Sequence, residues 1–106
     1  MKRQKPAQKE LPLEFLERMA NALRILAHAH RLKIVEILQR EKEAPVYLIT
    51  KRLGLPQATI SQHLNQMRRA GLLQASRRGR QVWYGIADDS ALTVLDCIKR
   101  KHTGGQ

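Results

Sequence analysis

The sequence predicts a mainly α-helical domain carrying one small β-hairpin, in the order α-α-α-α-β-β-α. Three observations predict it. Apolar residues recur at spacings of three and four in four stretches between Leu13 and Met67 and again from Leu92 to Ile98, the mark of helices with one apolar face. The stretch 72–87, LLQASRRGRQVWYGIA, behaves differently: Val82, Tyr84 and Ile86 alternate with Trp83 and Gly85, as in a half-buried strand. Finally, in residues 48–71, LITKRLGLPQATISQHLNQMRRAG, a short apolar helix ends at Gly54 and a longer one begins just after Pro56. Glycine supplies the left-handed backbone of a helix exit, and proline has a φ suited to the first position of the next helix. That arrangement is a helix-turn-helix.

At 106 residues the chain is one domain, and a lone protomer of this size buries a modest fraction of its surface. Residues 1–12, with two prolines and mixed charge, read as a disordered basic arm. The first helix, Leu13 to Leu26, repeats Leu16, Met19, Leu23 and Leu26 at three and four, with Glu14, Glu17, Arg18 and Arg24 on the other side. Spacing alone does not separate core from dimer surface here. The second helix, about His30 to Arg40, turns Leu32, Ile34, Val35 and Leu38 inward and ends in the charged loop 41–45. Pro45 can open the third helix, which carries Val46, Leu48, Ile49 and Leu53. In the fourth, Ile60, Leu64 and Met67 make the buried stripe and Gly71 closes the helix. The hairpin follows, with Arg78-Gly79-Arg80 at its tip. Asp88, Asp89 or Ser90 caps a last helix, about Ser90 to Lys99, in which Leu92, Val94, Leu95 and Ile98 are apolar; residues 101–106 are tail. Amphipathic helices at both ends of a small domain suggest a two-fold homodimer through Leu16, Met19, Leu23, Leu92, Leu95 and Ile98. The domain proper is therefore 13–100.

The charge is strongly basic, 20 Lys and Arg against 9 Asp and Glu, a formal net +11. Its distribution carries the information. Residues 45–87 hold seven basic side chains (Lys51, Arg52, Arg68, Arg69, Arg77, Arg78, Arg80) and no acidic one. A basic block that coincides with a helix-turn-helix is the footprint expected for a phosphate backbone, so double-stranded DNA is the expected partner. Off the buried stripe of the fourth helix lie Gln57, Ala58, Thr59, Ser61, Gln62 and Asn65, small or amide-bearing side chains of the sort that read base edges, and Gln57, Ala58, Thr59, Ser61, Gln62 and His63 are expected to face base edges or nearby phosphates. Lys51, Arg52, Arg68, Arg78 and Arg80 are placed to neutralise phosphates. Other classes find little support. No apolar run approaches the roughly 18 residues that span a bilayer, and no apolar signal core follows the basic N-terminus, so no membrane partner and a cytoplasmic location are expected. The single cysteine, Cys97, excludes an internal disulfide. No nucleophile–base–acid set and no Gly-rich phosphate loop is visible, so the chain does not read as an enzyme, and no cofactor is expected. The competing readings are a non-specific architectural DNA-binding protein and a redox- or His-based sensor on the same fold.

In this order of elements the sequence resembles the ArsR-type winged-helix repressors of bacteria and archaea. The resemblance rests on Leu26-Ala27, Arg31-Leu32-Lys33-Ile34, Leu53-Gly54-Leu55, Gln57-Ala58-Thr59-Ile60-Ser61-Gln62-His63-Leu64, Met67-Arg68-Arg69-Ala70-Gly71-Leu72-Leu73 and Arg78-Gly79-Arg80-Gln81-Val82-Trp83-Tyr84, and covers about residues 13–100. It implies a homodimer built from the first and last helices. It also implies a fourth helix in each of two successive major grooves, and repression by occupying an operator.

The departures are informative. Members of that family that sense metals often carry a Cys-x-Cys cluster in the third helix, where this chain has Val46-Tyr47-Leu48-Ile49. Others use four ligands on the last helix; here only Asp89 and His102 are available, with Ala91 and Gly105 at the other two positions, too few to hold Zn²⁺ well. His28 and His30 stand where the family usually has other residues, as a metal- or proton-sensing pair or simply as a replaced helix cap. Cys97 reads as apolar filler, with oxidative crosslinking across a dimer axis as the alternative. Nothing in the residues names a small-molecule inducer.

Overall fold

Five helices and three short strands make up the computed structural model, which describes residues 10–104. In chain order they are α1 (Leu13–Leu26), α2 (Ala29–Glu41), β1 (Glu43–Pro45), α3 (Val46–Leu53), α4 (Gln57–Arg69), β2 (Leu73–Arg78), β3 (Gln81–Ile86) and α5 (Ser90–Gly104). The predicted helices and hairpin are all present, and one strand is added. The expected charged loop after α2 contains β1, which pairs antiparallel with β3, so the hairpin is part of a three-stranded sheet ordered β1-β3-β2. Lys42 turns the chain into β1 with φ 73°, rarely adopted by a side-chain-bearing residue, and its N–H closes on the Leu38 carbonyl at 2.9 Å. Ala44, fully buried opposite Tyr84, is small enough to let this third strand lie against the core.

α2 is the central element, packed against α1, α3, α5 and the sheet. Ile34, Val35, Leu38, Ile49, Ile60, Leu64 and Met67 are at or near zero exposure, so the stripe Ile60–Leu64–Met67 of α4 is the face that holds that helix in place. Each such side chain contributes about 1.5–3 kcal/mol by leaving water. α1 divides its apolar residues differently from the simple stripe. Ala22, Ile25 and Leu26 are buried, whereas Leu16 and Leu23 stay 43% and 52% exposed. On α5, Leu95 is only 6% exposed and belongs to the protomer core, which corrects its assignment to the outer surface; Ile98 remains 43% exposed. α5 also continues to Gly104, so residues 101–104, expected as tail, are helical. Of the expected N-terminal arm, residues 1–9 lie outside the described residues, as do 105 and 106.

The turn between α3 and α4 works as its residues suggest. Gly54 is the α3 C-cap at φ 69°, its N–H bonded to the Thr50 carbonyl at 2.9 Å. Pro56 sits one position earlier than expected, as the extended N-cap of α4, and likewise Pro45 caps α3 while ending β1. Nothing lies within 4 Å of a Cβ added at Gly54, so Gly54→Ala tests backbone conformation alone. It is expected to lower the free energy of urea unfolding by about 1–2 kcal/mol, the cost of the left-handed conformation for an L-residue.

Candidate nucleic-acid interface

Three rows of side chains run along α4 besides its buried stripe. Gln57, Ser61 and Asn65, spaced by four, line a cleft of about 310 Å³ whose other walls are Tyr47 on α3 and Arg80 and Val82 of the hairpin. Ala58 and Gln62, exposed, form the next row toward solvent. His63 and Gln66 turn the other way, onto α2. Thr59 is half-buried.

The α2 contact is made by one side chain. Arg31, 7% exposed, donates from Nε to His63 Nδ1 at 3.0 Å, from one terminal nitrogen to the Ile25 carbonyl at 3.1 Å and from the other to Gln66 Oε1 at 3.3 Å. A single guanidinium thus ties the end of α1 and the start of α2 to the middle of α4. Its planar fork suits three acceptors at once. His63, expected to face the nucleic acid, instead has its Nδ1 committed to Arg31. Burial first, then the charge of Arg31 and the neighbouring His28 and His30, hold the His63 pKa below its ordinary value, so the ring stays neutral and accepts. The rings of His28 and His30 lie 5.9 and 6.2 Å from that of His63, giving the exposed pair a third imidazole neighbour that sequence spacing does not show. Among the described residues no group of three His, Cys, Asp or Glu side chains is arranged to hold a metal ion. Asp89 immediately precedes α5 and His102 lies in its last turn, which at 1.5 Å per residue sets them about 20 Å apart along the helix. Cys97 is exposed rather than buried filler.

The hairpin sorts its arginines by face. The turn is Gly79-Arg80, with φ 62° at the glycine and no positive φ at Arg80, the sign pattern of a type II′ turn. Counting back, Arg77 pairs with Val82 and Ala75 with Tyr84, which puts Arg77 on the side that faces the helices. Arg78 falls on the opposite side, where its guanidinium lies 4.7 Å over the Trp83 ring and 2.6 Å from the Glu43 carboxylate of β1. Arg52 is similarly engaged, at 2.6 Å from Glu41 at the end of α2. Arg68 donates to Asn65 Oδ1 at 3.4 Å. Lys51, Arg77 and Arg80 have no ion pair among the described residues and remain open to an external anion. Arg77 was counted in the basic block but not singled out as a phosphate contact, and Tyr47, which lines the cleft, was not singled out at all. Register would have found the first once the turn was placed at Gly79; nothing in the local pattern marks the second.

A helix-turn-helix followed by a β-hairpin beside its second helix, with open cations on the hairpin and a polar outer row on that helix, is a winged helix-turn-helix of the DNA-binding class. A model of the family described as "Bacterial regulatory protein, arsR family" matches residues 28–75. Over 83 residues the chain is 44% identical to the transcriptional repressor PagR of Bacillus anthracis, spanning 78% of this chain and 83% of PagR. It is 31% identical over 93 residues to the biofilm growth-associated repressor of Agrobacterium fabrum, spanning 84% and 79%. The crystal structure of PagR superposes with a TM-score of 0.73 at 36% identity, over 82% of this chain and 99% of PagR. A homodimeric winged helix-turn-helix DNA-binding domain from Mycobacterium bovis shares the fold, with a TM-score of 0.73 at 24% identity over 96% of each chain. The protein belongs to the arsR family of bacterial regulatory proteins. It is a DNA-binding regulator, and no helix among its described residues is long and apolar enough to cross a membrane.

Proposed function

We propose that this protein is a homodimeric repressor that lays α4 of each protomer in a major groove and the hairpin along the adjacent backbone. The observation that carries the reading is the exposed row of Ala58 and Gln62 on α4 beside a cleft lined by Arg80, inside a stretch with no acidic residue in which Lys51, Arg77 and Arg80 have no ion pair among the described residues. Gln62 reads base edges, where an amide bonds adenine bidentately, and Ala58 meets a thymine methyl. The open cations neutralise phosphates and set register without reading sequence. Leu16 and Leu23 of α1 and Ile98 of α5, left outside the protomer core, are buried against the partner, joined by the half-buried Met19 and Leu92. Two-fold symmetry then calls for an inverted-repeat operator with half-sites about one helical turn, roughly 34–36 Å, apart.

The test separates reading from positioning. A duplex is selected by the protein from a random-sequence pool, and binding to it and to a scrambled duplex is titrated at about 0.15 M salt. A specific regulator prefers the selected duplex by roughly 10³-fold or more. Gln62→Ala removes a bidentate pair of hydrogen bonds and is expected to shrink that ratio by about ten-fold, whereas Arg80→Ala weakens both duplexes alike and lowers the salt dependence. An architectural protein would show no ratio to lose.

A further inference from the structure

The cleft between α3, α4 and the wing does not look like a base-reading surface. Its α4 wall is Gln57, Ser61 and Asn65, its α3 wall is Tyr47, and Arg80 stands at its mouth. None of its lining residues is acidic. Tyr47 is 60% exposed, among the most exposed large apolar side chains of the described residues, whereas Tyr84, the other tyrosine at this cleft, is buried. Arg80 is the hairpin cation at this cleft with no partner among the described residues, because Arg78 is spent on Glu43 and Trp83 behind the sheet. A narrow, acid-free trough with hydroxyl and amide donors along its walls and one open guanidinium fits a chain of single negative charges better than it fits the stacked edges of base pairs.

We infer that this cleft seats the sugar–phosphate backbone of one DNA strand, with the Tyr47 hydroxyl and the Arg80 guanidinium closing on a phosphate from opposite walls. The inference rests on the DNA-binding reading above and divides α4 more finely. The row Gln57–Ser61–Asn65 tracks the strand, and only the row of Ala58 and Gln62 faces base edges. Tyr47 is then a phosphate ligand contributed by the first helix of the helix-turn-helix, and the wing and the two helices grip the same strand. A phenol O–H donating to a phosphate oxygen is a charge-assisted bond, of the stronger kind.

Tyr47→Phe removes the hydroxyl and leaves an exposed ring, so folding is unaffected; a thermal melt matching the parent's verifies this. The selected and scrambled duplexes are the probes. The variant is expected to lose about ten-fold in affinity for both, leaving their ratio unchanged. A second arm uses selected duplexes that each carry one neutral methylphosphonate linkage. At the seated position the substitution weakens the parent protein through both the Tyr47 and the Arg80 contacts, and it costs Tyr47→Phe less, since only the Arg80 contact is left to lose. Asn65→Ala is expected to behave like Tyr47→Phe, and Gln62→Ala to alter the ratio. The inference is overturned if Tyr47→Phe binds both duplexes as the parent does, if it changes their ratio, or if every methylphosphonate weakens parent and variant equally. Failure of the underlying reading looks different: the parent itself would show no preference for any selected duplex.

Discussion

Replacing Leu16 and Leu23 together by glutamate is expected to leave each protomer helical and folded but to convert the dimer to a monomer, read by sedimentation at micromolar concentration. Both side chains are already about half exposed in the protomer, so the substitution removes little from its core. Against a symmetry mate it places four carboxylates in an apolar seam, each costly to bury without a partner. The consequence for DNA is large because the two recognition helices act through one another's effective concentration. Affinity for the selected inverted repeat should fall by roughly 10²–10⁴-fold, while a single half-site is bound as weakly by variant as by parent. A doubly substituted protein that remained a dimer would move the interface off α1.

The second large effect concerns Arg31. Arg31→Leu keeps an apolar stem in the site but leaves the Ile25 carbonyl and Gln66 Oε1 without their donor, and releases His63 from α2. The buried Ile25 carbonyl, once orphaned, costs about 1–3 kcal/mol, whereas the exposed Gln66 amide turns to water, so a drop of about 1–3 kcal/mol in urea unfolding is expected. Operator binding should weaken beyond what the change in stability explains, because α4 is no longer tied to α2 through Arg31. The same contact sets a pH dependence. The His63 pKa lies below its ordinary 6.5 in the folded protein, so the folded state takes up its proton later than the unfolded chain does. The stabilisation from the neutral ring is complete above about 6.5 and is lost as the pH falls from there through the lowered folded value. His28 and His30 near the start of α2, and Arg31 beside them, all oppose that proton. His63→Gln keeps an acceptor and cannot titrate, so unfolding measured at pH 7.5 and 5.5 should differ less for it than for the parent.

Much of this protein was legible along the chain. The spacing of Ile60, Leu64 and Met67, the Gly54 exit and the alternation of Val82, Tyr84 and Ile86 depend on neighbours within one turn or one strand, and each element formed where its pattern placed it. The acid-free block from 45 to 87 needed no structure to point at a polyanion. Site residues were less legible. Arg78 and Arg80 look equivalent two residues apart, yet pleat and turn send one behind the sheet to Glu43, 35 positions away, and leave the other open at the cleft. His63 and Gln62 are adjacent on one helix, and a rotation of about 100° per residue turns the first onto Arg31 and the second to solvent.

From the residues alone follow the helix-turn-helix, the wing and the sign of the partner, because dihedral preference, apolar period and net charge are properties of short stretches and sums. Which cations are free, which face of α1 is left uncovered, and that Tyr47 joins Arg80 across one cleft were settled by the fold. Those facts depend on side chains tens of residues apart competing for the same space and the same counter-charges, and no local pattern records the winner.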